Sequence, residues 1–207
     1  MSIYRLYIKR MIDLILSFAL MMMLFPLILL IFISQIFVYK LDVFYLQQRN
    51  GLREQVFTLF KFRTMKDTHD LSGLLLPDPC RVTTLGKLLR FFSLDELPNL
   101  VNVLLGHMSL VGPRPLPVHY LSKMDSSQKS RFNVRPGLTG LAQVSGRNDL
   151  NWSRKMELDL VYVKKMSFFL DLKIIFRTLP VLFASSEVKE IEKISFDNYV
   201  PNFNNKE

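Results

Sequence analysis

The chain has 207 residues, 49% of them hydrophobic and 22% charged, and its 27 Lys and Arg against 18 Asp and Glu leave a net charge of +9. A single cysteine, Cys80, excludes an intrachain disulfide and permits a reducing compartment, while His69, His107 and His119 lack the close spacing of a zinc site. The length suits one domain of ordinary size, and a positive excess on so apolar a chain points to anionic lipid or phosphorylated small molecules rather than to nucleic acid.

Residues 14–33 form one apolar run interrupted only by Ser17 and Pro26. About 20 apolar residues can cross a bilayer as a helix. Yet Arg5, Lys9 and Arg10 flank the run on one side, and Lys40, Arg49, Arg53, Lys61 and Arg63 follow on the other. Lys and Arg favour the cytoplasmic side, so a simple span would export one basic flank. A helix bent at Pro26 and re-entering the same face removes that conflict, because proline deletes a backbone hydrogen bond and clashes with the preceding turn. A proline-kinked span is the alternative. No small-residue cleavage site follows the run, so a signal peptide is not expected.

Next comes a predicted β-hairpin, residues 43–48 and 55–61, turning at Asn50-Gly51. Alternation in the second strand sets Lys61 and Arg63 on one face. Leucine spacing predicts helices over 84–92 and 94–105. Residues 106–151 are rich in Gly and Pro and read as ordered loop with short strands or turns. Helices are expected at 153–165 and 170–184. The second mixes Leu172, Ile174, Ile175, Phe176 and Leu179 with Lys173 and Arg177, and suits either the headgroup layer or the protein core. The predicted organisation is a membrane helix with its flanks (1–40), a cytosolic domain (41–186) and a polar tail (187–207). The fold class is α+β, mainly helical, with a re-entrant N-terminal membrane helix, a small β-hairpin and interfacial helices.

The sharpest local signal is Ser93-Leu94-Asp95-Glu96. Ser at an N-cap with Glu three residues on is a capping box, which accounts for the pattern without any catalysis. The competing reading uses the helix N-terminus, whose field binds phosphate and keeps a carboxylate ionised. Cations in rigid settings favour it: Arg90 shortly before, Arg114 between Pro113 and Pro115, Arg135 before Pro136-Gly137, and Arg147 after Gly146. Arginine's planar fork suits phosphate, and neighbouring prolines lower the entropy lost in gripping it.

Lys61-Phe62-Arg63-Thr64-Met65, Ser93-Leu94-Asp95-Glu96-Leu97-Pro98, Val111-Gly112-Pro113-Arg114-Pro115, Val134-Arg135-Pro136-Gly137-Leu138-Thr139-Gly140, Ala142-Gln143-Val144 and Gly146-Arg147-Asn148 together resemble the motif series of the bacterial sugar transferases. These are the monotopic polyprenol-phosphate phosphoglycosyl transferases of the bacterial inner membrane, and the chain resembles their small form. The resemblance runs from about residue 9 to 171 and implies transfer of a sugar-1-phosphate from a nucleotide sugar, usually a UDP-sugar, to a polyprenyl phosphate such as undecaprenyl phosphate, with release of UMP. That step opens the assembly of capsule, O-antigen, exopolysaccharide or glycoprotein glycans. It further implies Mg²⁺ at Asp95 and Glu96, a covalent phosphosugar on Asp95, substrate contacts from Lys61, Arg63, Arg90, Arg114, Arg135 and Arg147, and a membrane kink at Pro26 with the domain on the cytoplasmic face. Phe25, Leu141 and Ser145 stand where the family more often has Ser, Trp and Asn. The reading from another class is a catalytically silent membrane adaptor, which would not require Asp95, Glu96 and Arg114 together. Neither the sugar nor the oligomeric state is legible.

Overall fold

The computed structural model describes residues 3–146 and 150–183, with side chains to residue 180. A turn of π-helix, Tyr4–Ile8, runs into α1, Lys9–Tyr39. Its 31 residues extend about 46 Å at 1.5 Å per residue. Within its most apolar 18-residue stretch only 11% is buried, so α1 is not the core helix of a soluble protein. One stripe nonetheless faces inward at four-residue spacing: Lys9, Asp13 and Ser17 near the start, Ile31, Gln35 and Tyr39 near the end. Met11, Ile15, Phe18, Met22, Phe25 and Leu30 stand exposed on other faces.

The inward stripe is largely polar because it meets backbone and charge. Lys9 Nζ lies 2.6 Å from Asp171 Oδ2, and Tyr4 also donates to that carboxylate. Arg10 donates to Val103 O and Leu104 O, while Asp13 accepts from Leu110 N. At the far end Gln35 donates to Arg63 O and Tyr39 meets the Thr83 hydroxyl. Both ends of α1 are therefore fastened to one domain.

β1 (Phe44–Asn50) and β2 (Val56–Phe62) form the antiparallel hairpin, with Asn50 opposite Val56. The first strand runs two residues further than expected, so Asn50 does not lie in the turn. Asn50 is 1% exposed and donates to Pro117 O and Val118 O, which keeps it in the strand. The chain turns instead through Gly51 and a 3₁₀ turn at Leu52–Glu54. A short α2 (Asp78–Arg81) leads to α3 (Thr84–Phe91), capped by the Thr83 hydroxyl. The helix expected over 94–105 is divided into a 3₁₀ turn, Leu94–Glu96, and α4, Asn99–Leu105. Pro98 is the cause: it lacks an N–H and its ring opposes the carbonyl four residues back.

β3 (Ser109–Val111) runs parallel to β4 (Gly137–Thr139), separated by 3₁₀ turns and α5 (Ser126–Lys129). A Cβ on Gly137 would lie 2.1 Å from Gly112 N, so the two backbones meet only because both positions are glycine. α6 (Leu141–Gly146), unforeseen in a loop-rich stretch, precedes α7 (Trp152–Lys165) and α8 (Phe168–Phe183). The main core gathers Phe57, Leu59, Val103, Met108, Val111, Tyr162 and Ile174, with Leu20 and Met21 of α1 and the variant residue Leu141 packed against it. A second cluster joins Ile31 to Val43, Phe62 and Leu89. In α8, Ile174 is buried in the core, while Phe169 and Phe176 are exposed. The expected tail and the end of the last predicted helix lie outside the described residues.

Lys9 and Asp171 are 10% and 7% exposed, so removing one charge strands the other. Lys9→Met is expected to cost about 3–5 kcal/mol in reversible unfolding in nanodiscs. Adding Asp171→Asn, whose amide oxygen can accept from Tyr4 and whose amide nitrogen can donate to the Tyr162 hydroxyl while that hydroxyl donates to Val111 O, should recover more than half of that loss.

Candidate active site

Asp95 and Glu96 occupy the 3₁₀ turn between α3 and α4, and Asn99 and Asn102 at the start of α4 set its distance from the hairpin. Asn99 accepts from Phe60 N and Asn102 donates to Thr58 O, so buried amides cover the open edge of β2. That brings Lys61 alongside the turn. Lys61 Nζ lies 2.6 Å from Glu96 Oε1 and 3.7 Å from Asp95 Oδ2.

Arg114 approaches from the other side, its Nη2 2.8 Å from Glu96 Oε1. Its loop is held by successive carbonyls. Pro113 O accepts from Gly137 N, Arg114 O from Arg131 Nη2, Pro115 O from Arg49 Nη1, Leu116 O from Asn50 N, and Pro117 O from Asn50 Nδ2. Arg131 is itself fixed by Asp159 at 2.7 Å, both almost fully buried. Arginine 114 is thus aimed by backbone that prolines and hydrogen bonds fix at every residue.

The two carboxylates differ sharply. Glu96 receives both short cation contacts. Burial pulls its pKa up, but Arg114 and Lys61 outweigh that and hold it at about 2. Asp95 accepts no hydrogen bond among the described residues, and its nearest cation is the Lys61 ammonium at 3.7 Å. Burial raises its pKa from the ordinary aspartate value, with Lys61, Arg90 and Arg114 opposing and Glu96 adding to the rise. Glu96 is a committed structural anion; Asp95 is a carboxylate with its lone pairs free.

The capping reading of Ser93 fails. Ser93 takes the left-handed conformation, φ 56°, and its side chain makes no cap bond, while Glu96 turns to Lys61 and Arg114. The helix-field reading fails as well, since a three-residue turn has little dipole and Asp95 is pushed up rather than down. What Ser93 supplies is a reversal that projects Asp95 toward Lys61.

The other predicted contacts divide. Arg90 donates to Thr64 Oγ1 and stays within electrostatic reach of Asp95, at the rim. Arg63 is taken by Asp42 and Asp67, at 2.7 and 3.0 Å, although alternation puts it on the face of Lys61. Arg135 donates to Gly106 O and shares the C-terminal end of α4 with Arg10, a helix-capping duty. Arg147 lies outside the described residues. Arg131, Asn99 and Asn102 escaped the sequence reading. Their signal was weak: one Arg without flanking Pro or Gly, and two Asn in an otherwise apolar helix.

Asp95 and Glu96 also meet the donor requirement for Mg²⁺, which takes one or two protein carboxylates and completes its shell with water and substrate phosphate. Among the described residues no group of three or more acidic, His or Cys side chains forms a cage, so such an ion would be shared with a phosphorylated ligand.

The chain matches the family described as bacterial sugar transferase over residues 4–185. It is 48% identical over 157 residues to the uncharacterized sugar transferase EpsL of Bacillus subtilis, covering 76% of this chain and 78% of EpsL. It is 38% identical to the exopolysaccharide production protein ExoY of Rhizobium meliloti, over 84% of each chain. It is 39% identical to the UDP-glucose:undecaprenyl-phosphate glucose-1-phosphate transferase of Klebsiella pneumoniae, over 83% of this chain but 39% of that longer protein.

The conformation of Ser93 makes a direct prediction. Ser93→Gly, which suits a positive φ, should stay within about 1 kcal/mol of wild type by thermal unfolding and keep activity. Ser93→Val, with a branched Cβ that disfavours the left-handed region, should displace Asp95 and lose most activity while the core melts nearly as before.

Proposed function

The chain belongs to the bacterial sugar transferase family, and from that premise we propose that it moves a sugar-1-phosphate from a UDP-sugar to undecaprenyl phosphate, releasing UMP, as an early step in polysaccharide synthesis. The observation that carries this reading is the division of labour between the carboxylates. Glu96 binds Lys61 and Arg114 into one frame, and leaves Asp95 buried, facing the cations and without a hydrogen bond among the described residues.

In the proposed reaction an Asp95 oxygen attacks the donor phosphorus that bears the sugar. The bond from that phosphorus to the bridging oxygen breaks, and UMP leaves with the electron pair. An oxygen of the lipid phosphate then attacks the same phosphorus and Asp95 departs as carboxylate, so the aspartate is regenerated. Lys61, Arg114 and Arg90 neutralise charge that grows on the phosphoryl oxygens and the leaving group. Burial favours attack, because a carboxylate of raised pKa is the stronger nucleophile once ionised. When bound, Mg²⁺ at Asp95 and Glu96 would add Lewis-acid neutralisation of the diphosphate.

α1 supports the proposed membrane placement. Lys9, Arg10 and Asp13 at one end and Gln35 and Tyr39 at the other bond to the same domain, which supports a helix that enters and leaves one face over a straight crossing. Pro26, beside the exposed Phe25, lies in the stretch that would sit deepest. The domain is read as cytoplasmic because its nucleotide substrate is, and because both flanks are basic.

Two experiments test this. A panel of UDP-sugars with undecaprenyl phosphate should give UMP release that stops on chelation and returns with Mg²⁺. Asp95→Asn should lower turnover by at least 10³-fold, about 4 kcal/mol of barrier, with wild-type melting. Near-normal turnover of that variant removes Asp95 from the chemistry. Separately, with Cys80 replaced by Ser, a cysteine at position 2 should resist an impermeant thiol reagent in intact cells and react after lysis. Labelling from outside contradicts the re-entrant placement.

A further inference from the structure

We propose that Arg49 is a substrate-binding residue which, together with Arg114, holds the phosphate adjoining the nucleoside of the donor, the one that departs with the leaving group. This rests on the transferase reading and assigns a role to a side chain outside the motifs that carry it.

Arg49 is the penultimate residue of β1, and its strand is stitched to the arginine loop by a bridge to Pro117 and by Asn50. Its side chain is poorly satisfied where it sits. Nη1 reaches Pro115 O at 3.5 Å, the long limit of a hydrogen bond, Nη2 meets the Gln47 side chain, and the buried Nε has no partner among the described residues. Nor does Arg49 have a carboxylate within 4 Å among those residues, although a half-buried guanidinium normally requires one. A neutral residue could staple the loop as well. A cation with an unused buried donor is what an anion site keeps in reserve.

The surroundings point the same way. Arg49 donates to the carbonyl of Pro115, next to Arg114, and the two guanidiniums repel: burial and then Arg114 lower the pKa of Arg49. Lys155 of α7 adds a third positive group facing Arg114, its Nζ 5.3 Å from the Trp152 ring centre. Against these cations stands Glu96, already shared by Lys61 and Arg114. The excess positive charge is the complement of a phosphate, and paired arginines suit its oxygens.

The order of the groups selects which phosphate. Asp95 lies within electrostatic reach of Lys61, Arg90 and Arg114, whereas Arg49 lies within reach of Arg114 and Glu96. Arg114 is common to both sets. A diphosphate with its sugar-bearing phosphorus opposite Asp95 therefore runs past Arg114, and its next phosphate arrives at Arg49. Stabilising that group as it leaves would act on the bond that breaks.

The test uses the full chain in nanodiscs with a donor that wild type turns over, the nucleoside monophosphate it releases, and undecaprenyl phosphate. Arg49→Gln should raise the donor KM and the inhibition constant of the monophosphate by at least tenfold, and leave the KM for undecaprenyl phosphate within twofold. Arg49→Lys, which keeps the charge and can still donate to Pro115 O, should fall between and covers the case in which the glutamine variant folds poorly. A loop merely loosened by the mutation would raise both substrate constants together and overturns the assignment. So does a rise confined to the lipid, which would make this an acceptor site, and so does unchanged inhibition in folded variants. Wild type that turns over no nucleotide sugar overturns the transferase reading along with this one; turnover that is normal in wild type and unaltered in Arg49→Gln overturns this inference alone.

Discussion

Glu96 is the point on which the site depends, because its one carboxylate oxygen accepts from Lys61 at 2.6 Å and from Arg114 at 2.8 Å. Those cations come from the hairpin and from the proline-bracketed loop, far apart in the chain. Such a partly buried cluster adds little net stability, since desolvation of three charges offsets their attraction. Its effect is positional. It joins two elements at the residue beside Asp95 while satisfying the cations that would otherwise close on Asp95 itself.

The scaffold beneath works by the same principle of covering polar backbone with specific side chains. Asn99 and Asn102 seal the outer edge of β2, Arg10 and Arg135 take the last carbonyls of α4, and Arg131 anchors the carbonyl of Arg114 against Asp159. The long helix is mounted likewise: its inward stripe is charged or polar at both ends and apolar around Ile31, so its register against the domain is set by hydrogen bonds and ion pairs. Sliding the helix by one turn would strand Lys9, Asp13 and Gln35 together. The turn that carries Asp95 and Glu96 and the exposed apolar face of α1 are therefore joined through α4, which touches α1 on one side and β2 on the other.

Much of this was legible in the chain. The long apolar run, the hairpin, α3, α7 and most of α8 follow from periodicities that tertiary contacts did not override. Misreadings arose where one residue serves two duties. Asn50 has the chemistry of a tight turn but is recruited into the strand by Pro117 and Val118. Ser93 and Glu96 have the spacing of a capping box, yet Pro98 breaks the helix they would cap, and long-range cations claim the glutamate. The motifs singled out Asp95, Glu96, Lys61 and Arg114, and the structure brings these four side chains together. That Arg63 turns away to Asp42 and Asp67, and that Arg135 caps a helix, was not legible, because strand alternation says which face a cation shares but not which anion lies within reach.

In the proposed reaction Asp95, freed by Glu96, carries the sugar phosphate. Incubating wild type with donor and Mg²⁺ but without lipid, then measuring the mass of the peptide that contains Asp95, tests it most directly. The expected result is a gain equal to one sugar phosphate on that peptide, absent from Asp95→Asn and lost when undecaprenyl phosphate is added. No added mass, together with kinetics that require both substrates to be bound at once, would contradict it.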